Sequence, residues 1–131
     1  MPAPAVSREA TNTVVVGAGQ AGLATSYWLA QRGVEHRLLE RRPALGGAWQ
    51  DRWDSFYLNT PNFSLALPGT SYAGPEPDGF TPRDATIDFF RGYARMIDAP
   101  VELDTEVTRI TATDPQFTLE TDRGTWTGWD G

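Results

Sequence analysis

Three consecutive valines, Val14, Val15 and Val16, run straight into Gly17-Ala18-Gly19-Gln20-Ala21-Gly22. A β-branched run of this kind suits a strand buried on both faces of a parallel sheet. The Gly-x-Gly-x-x-Gly spacing then fixes the turn and the start of the next helix. Gly17 permits a tight turn out of the strand, Gly19 lets a ligand's pyrophosphate approach the backbone, and Gly22 allows close packing of that helix. The helix N-terminus offers free N–H groups and a positive dipole end. Glu40 comes after Gly22 at about the 20-residue separation of the dinucleotide-binding fingerprint.

The flanking sequence agrees. Gln20 to Arg32 reads as a helix with Ala21, Ala24, Trp28 and Leu29 as its small or apolar positions, and Gly33 stands where a left-handed cap is expected. His36 to Glu40 reads as the second strand, ending in a carboxylate able to accept both hydroxyls of an adenosine ribose. A plainer reading is a β-turn-α crossover whose glycines serve packing alone. Strand, glycines, helix and acid together favour nucleotide binding. The acid would repel a 2′-phosphate, so NAD and FAD fit this site and NADP fits poorly.

The chain has 131 residues, enough for one domain with a real core, and a formal net charge of −6, which leaves no electrostatic footprint for nucleic acid. The absence of cysteine excludes thiol chemistry and fits a reducing cytoplasm. No apolar stretch approaches the ~20 residues of a membrane span. A single histidine makes a metal site unexpected. Residues 1–12, with Pro2 and Pro4, read as a frayed tail.

Beyond the first βαβ unit, residues 41–82 carry little regular pattern but many aromatics: Trp49, Trp53, Phe56, Tyr57, Phe63, Tyr72 and Phe80. A segment that long is functional or disordered, and its aromatic content argues for order. It reads as a loop wrapping a ligand. A helix is expected over Asp84–Met96, with Ile87, Phe90, Tyr93, Ala94 and Ile97 on one face. A short strand is expected over Pro100–Leu103. Glu106–Ala112 and Gln116–Thr121 alternate as a hairpin about Thr113-Asp114-Pro115, and Gly124–Gly128 starts one more strand.

Glu40 to Trp49 reads Glu-Arg-Arg-Pro-Ala-Leu-Gly-Gly-Ala-Trp. From here the chain resembles the flavin-containing monooxygenases and the related Baeyer–Villiger monooxygenases, in which the ribose acid is followed by Gly-Gly-x-Trp. Gly46, Gly47 and Trp49 match in type and spacing. The resemblance runs on through Arg52 to Pro61, Leu67-Pro68-Gly69, Pro82-Arg83-Asp84 and the stretch from Val101 to Leu119. It implies a Rossmann-like FAD-binding domain of the glutathione reductase type, with a parallel sheet and a small meander. It implies that Gly17, Gly19, Gln20, Ala21, Gly22, Glu40, Arg41, Gly47, Ala48, Trp49 and Val107 contact FAD. Taken alone, Gly46-Gly47 beside Trp49 would be an ordinary turn beside a core tryptophan. Its place after a ribose acid favours the flavin reading.

Asn59 matches a family asparagine near the flavin ring and is the one catalytic candidate; a turn asparagine capping the Thr60-Pro61 bend is an equal alternative. Asn62 stands where some relatives carry Lys. Arg41 and Arg42 suit adenosine or phosphate contacts or plain solvation, and Arg42 reads as solvated. His36 opens a strand, and catalysis by it is not expected. Trp126 and Trp129 read as packing residues.

The family's enzymes are longer, with an NADPH domain bearing a second glycine fingerprint. This sequence has one fingerprint. The expectation is an FAD-binding N-terminal part, covering residues 13–131, of an NADPH- and O₂-dependent oxygenase acting on N, S or carbonyl groups, inactive without a missing C-terminal portion or second chain. The first strand, central in the family's sheet, would then lie at an edge. The alternatives are an NAD-binding dehydrogenase-type domain and a non-catalytic fragment without cofactor.

Overall fold

The computed structural model describes residues 8–113 and 115–129. Strand β1 (Arg8–Thr11) is followed, after a bend at Asn12, by β2 (Thr13–Val16), helix α1 (Gln20–Gln31) and β3 (His36–Leu39). A long excursion carries 3-10 turns at Gly47–Asp51 and Asn62–Ser64 and a two-stranded ladder of β4 (Ala66–Leu67) and β5 (Thr70–Ser71). Helix α2 (Arg83–Met96), β6 (Val101–Glu102), and the meander β7 (Val107–Thr113), β8 (Gln116–Thr121) and β9 (Gly124–Trp129) complete the order.

Three layers result. The middle layer is a parallel sheet of order β2-β3-β6, with Val15 beside Leu38 and Val16 beside Leu39. Strand side chains alternate, so its two faces meet different partners. Val15, Leu38 and Val101 pack with Leu23 of α1 and Phe90, Tyr93 and Ala94 of α2. On the other face Leu39 and Val14 meet Leu119 and Trp126 of the meander. The meander sheet has order β1-β9-β8-β7, with β1 parallel to β9.

The expected βαβ unit, the second helix and the hairpin are all present. Ile87, Phe90, Tyr93 and Ala94 form the buried face of α2, with Thr86 added. Gly33 takes φ +69 at the end of α1 and donates its N–H to the Ala30 carbonyl. The frayed tail needs correction: Arg8–Thr11 form a strand, because the parallel edge of β9 offers the backbone pairing that local sequence did not reveal. The rest of that tail, residues 1–7, lies outside the described residues, as do Asp114 in the hairpin turn and the Trp129 side chain.

Among the described residues β2 lies at the edge of the parallel sheet. Beside it an apolar groove of about 330 Å³ opens between the layers, lined by Val14, Val16, Ile110, Phe117 and Leu119 among others. His36 is buried and has a structural role. Its Nδ1 donates to the Val34 carbonyl at 2.9 Å, and its Nε2 is hydrogen-bonded with the Ser26 hydroxyl at 2.7 Å.

Candidate functional site

The site forms where β2 and β3 end. Gly17 leaves β2 with φ +96, a conformation open to glycine, and its N–H reaches the Leu39 carbonyl at 2.8 Å. Gly19 caps α1, and the first helical bond runs from the Leu23 N–H to the Gly19 carbonyl at 3.0 Å. The N–H groups of Gln20 and Ala21, exposed in the first turn, are thus left without helical partners. A Cβ added at Gly17 or Gly19 would meet no atom within 4 Å. At Gly22 a Cβ would stand 2.1 Å from the Gly17 carbonyl oxygen. The three glycines therefore differ in role: one permits the turn, one keeps a space open, one permits contact between helix and turn.

Glu40 is buried at the end of β3. Its Oε1 accepts the Ala18 N–H at 3.0 Å, and its Oε2 accepts the Arg42 N–H at 2.9 Å. Its main chain is held as firmly, donating to the Glu102 carbonyl and accepting from the Thr105 N–H. A carboxylate has about four lone-pair sites. Two are left unused by these bonds.

A cavity of about 270 Å³ opens here, lined by Val16, Gly17, Leu39, Glu40, Arg41, Arg42, Thr105, Glu106 and Val107. It brings together Gly17, Glu40, Arg41 and Val107 from the candidate set. Thr105 and Glu106 had no sequence signal; only the return of the chain after β6 delivers them.

The second glycine pair adjoins the first. Gly46 and Gly47 take φ +133 and +57, and a Cβ on Gly47 would lie 3.4 Å from Gly19 Cα. The 3-10 turn that starts there exposes Ala48 and sends Trp49 inward, stacked near Phe56 (5.8 Å) and Phe90 (6.5 Å). Trp49 is a half-buried wall joined to the core.

Arg42 departs from its expected solvated state. Its side chain is 19% exposed, and it donates from Nη2 to Asp51 at 2.6 Å, with Nη1 3.9 Å from Glu40. The bonded Arg42 guanidinium holds the Asp51 carboxyl below its ordinary range. Arg41 is the exposed arginine of the pair.

Asn59 is exposed and does not line this cavity. Asn62 is the buried, bonded asparagine of that segment. Its Nδ2 donates to the Glu76 carbonyl at 2.8 Å, and its Oδ1 accepts the Thr81 hydroxyl at 2.5 Å. These bonds, with Asn62 N–H to the Gly79 carbonyl, pin residues 62–81 into a closed loop.

Comparison with known proteins agrees with this geometry. The pattern of the NAD(P)-binding Rossmann-like domain matches residues 15–79. An uncharacterized CzcO-like oxidoreductase of Geobacillus kaustophilus is 33% identical over 88% of this chain and 33% of its own length. The indole-3-pyruvate monooxygenase YUCCA6 of Arabidopsis thaliana is 34% identical over 74% of this chain and 23% of its own. Among solved structures, a flavin-containing monooxygenase from Stenotrophomonas maltophilia superposes with a TM-score of 0.84 at 26% identity, over 92% of this chain and 36% of that one.

Fold and glycine turn define a Rossmann-like α/β domain. The chain is related to the flavin monooxygenase-type oxidoreductases, and it spans about a third of the length of the first of the relatives it matches. No helix among the described residues is long and apolar enough to cross a membrane.

Proposed function

We propose that this chain binds FAD through its ADP half and forms the flavin-holding part of a monooxygenase-type oxidoreductase. The observation that carries the reading is one convergence: the buried Glu40 carboxylate, the Ala18 N–H it holds, and the open backbone of Gly19 facing Gly47. The residues fit the group. Glu40 has lone pairs to spare for the ribose diol, and Arg41, Thr105, Glu106 and Val107 wall the adenosine end. Gly17, Gly19, Gln20 and Ala21 present backbone to the pyrophosphate. Gly47, Ala48 and Trp49 continue the wall toward the flavin, and Asn59 is proposed to lie near its ring.

Bound FAD would supply redox and oxygen chemistry; the protein supplies binding, orientation and exclusion of water. In a polypeptide of the relatives' length, the proposed activity is oxygenation of an N, S or carbonyl group with NADPH and O₂, by a cytoplasmic enzyme. NADPH does not suit the Glu40 site, since a 2′-phosphate would meet a carboxylate.

The domain pattern matched by residues 15–79 favours one second reading, an NAD-binding dehydrogenase-type domain. NAD shares the ADP half, but it leaves Gly46-Gly47-x-Trp49 without a use. Titration of the purified chain with FAD, FMN and NAD separates the two. The flavin reading expects FAD to bind tightest, and NAD bound more tightly than FAD would favour the dehydrogenase.

A further inference from the structure

We propose that Arg42 is a positioning residue that locks the two ends of the nucleotide cradle together, tying Glu40 at the end of β3 to Asp51 at the end of the 3-10 turn begun by Gly47. Its consequence for ligands rests on the nucleotide reading above; the lock itself does not.

Arg42 is fixed from several sides. Its N–H donates to Glu40 Oε2 at 2.9 Å, and its carbonyl accepts the Asp104 N–H at 3.1 Å. Its guanidinium lies 3.9 Å from the same Glu40 oxygen and donates to Asp51 Oδ2 at 2.6 Å. A planar fork can address two carboxylates at once, which a lysine ammonium does less well. Asp51 itself is 68% exposed, so solvent screens the pair and it adds little to overall stability. Its effect is on position.

The turn it holds is short, Gly47–Asp51. The start of that turn abuts Gly19, where a pyrophosphate would pass, while its end is held by Arg42. Elsewhere the segment is secured by Gln50 Nε2 to the Ala44 carbonyl and by Arg91 Nε to the Leu45 carbonyl. Those two bonds act before or within the turn, and just past its end Arg83 Nη1 donates to the Arg52 carbonyl at 2.9 Å, a tie to α2 and not to β3. The Arg42–Asp51 link is the tie from the turn's far end to the ribose acid. With two carboxylates on its guanidinium, Arg42 has little charge to offer a phosphate. Arg41, exposed on the same cavity, is the arginine left to face the ligand.

The test uses Arg42→Ala, Asp51→Asn, Asp51→Glu and the double variant Arg42→Ala/Asp51→Asn. The first readout needs no ligand: amide hydrogen exchange over residues 47–52. Arg42→Ala and Asp51→Asn should each speed exchange there about fivefold, the double variant no more than either single, and Asp51→Glu should restore protection. Unchanged exchange in both singles, or additive effects in the double, would overturn the lock. The second readout is affinity for ADP and AMP. Asp51→Asn should weaken ADP about fivefold and AMP less than twofold, because only ADP reaches the 47–51 turn. Equal losses for both, or none, would overturn the coupling to ligand. A native chain that binds neither nucleotide would defeat the nucleotide reading, and exchange would still decide the lock.

Discussion

Glu40 Oε1 accepts the Ala18 N–H at 3.0 Å, so the acid that ends β3 also braces the glycine turn that ends β2. Both residues are buried, Ala18 at 1% exposure and Glu40 at 4%. Glu40→Ala therefore removes an acceptor from a buried N–H as well as a ligand contact. An orphaned buried donor costs about 1–3 kcal/mol. The variant should lose stability of that order in urea unfolding. Its dissociation constants for FAD and FMN should also converge, since FMN lacks the adenosine. Glu40→Ala that keeps full stability and full preference for FAD would contradict both roles.

Gly19 and Gly22 should separate binding from folding. Gly19 has φ −81, which any residue adopts, and open space where a Cβ would stand. Gly19→Val should fold with a nearly unchanged melting temperature and lose FAD affinity by orders of magnitude. Gly22→Ala places its methyl 2.1 Å from the Gly17 oxygen, so α1 must shift away from the turn. It should unfold several degrees lower, a loss of roughly 1–3 kcal/mol. Calorimetry and thermal melts on the two variants check the contrast; the same pattern in both would refute it.

The open edge of β2 predicts self-association. Thr13–Val16 carries no charge, proline or bulge to guard the edge that no strand among the described residues pairs. Val16 and Ile110 are 54% and 57% exposed along the adjoining groove. Sedimentation velocity should show concentration-dependent association, and Ile110→Lys, outside the nucleotide cavity, should reduce it. A monomer at all concentrations would count against the exposed edge.

Tyr93 should mark the alkaline limit of stability. Its hydroxyl donates to the Pro68 carbonyl at 2.6 Å, and burial, then the nearby Tyr27, push its pKa above the ordinary 10.0. The native state thus holds the proton more tightly than the unfolded chain. The contribution is complete below pH 10 and lost as pH rises through the native value. Tyr93→Phe should cost roughly 1 kcal/mol near neutrality and flatten the loss above pH 10. Urea unfolding against pH in both proteins measures it.

The βαβ unit was legible because each local signal agreed: Val14–Val16, the glycine spacing and Glu40 fix one another. Helix α2 was legible from the periodicity of Ile87, Phe90, Tyr93 and Ala94. β1 was not, since Arg8–Thr11 gains its strand from the distant edge of β9. The site was legible where motifs name it and hidden where topology builds it. Thr105 and Glu106 reach the cavity because the chain turns back after β6. Arg42 read as a solvated charge because Asp51, its partner, is fixed by the 3-10 turn and not by sequence spacing.

Titration of the purified 131-residue chain with FAD tests the central claim most directly. Quenching of flavin fluorescence should be saturable and reversed by ADP. FMN should bind more weakly than FAD, and Gly19→Val should abolish the effect. A folded chain that leaves FAD fluorescence unchanged, or that quenches FAD and FMN equally with no competition from ADP, would contradict the account.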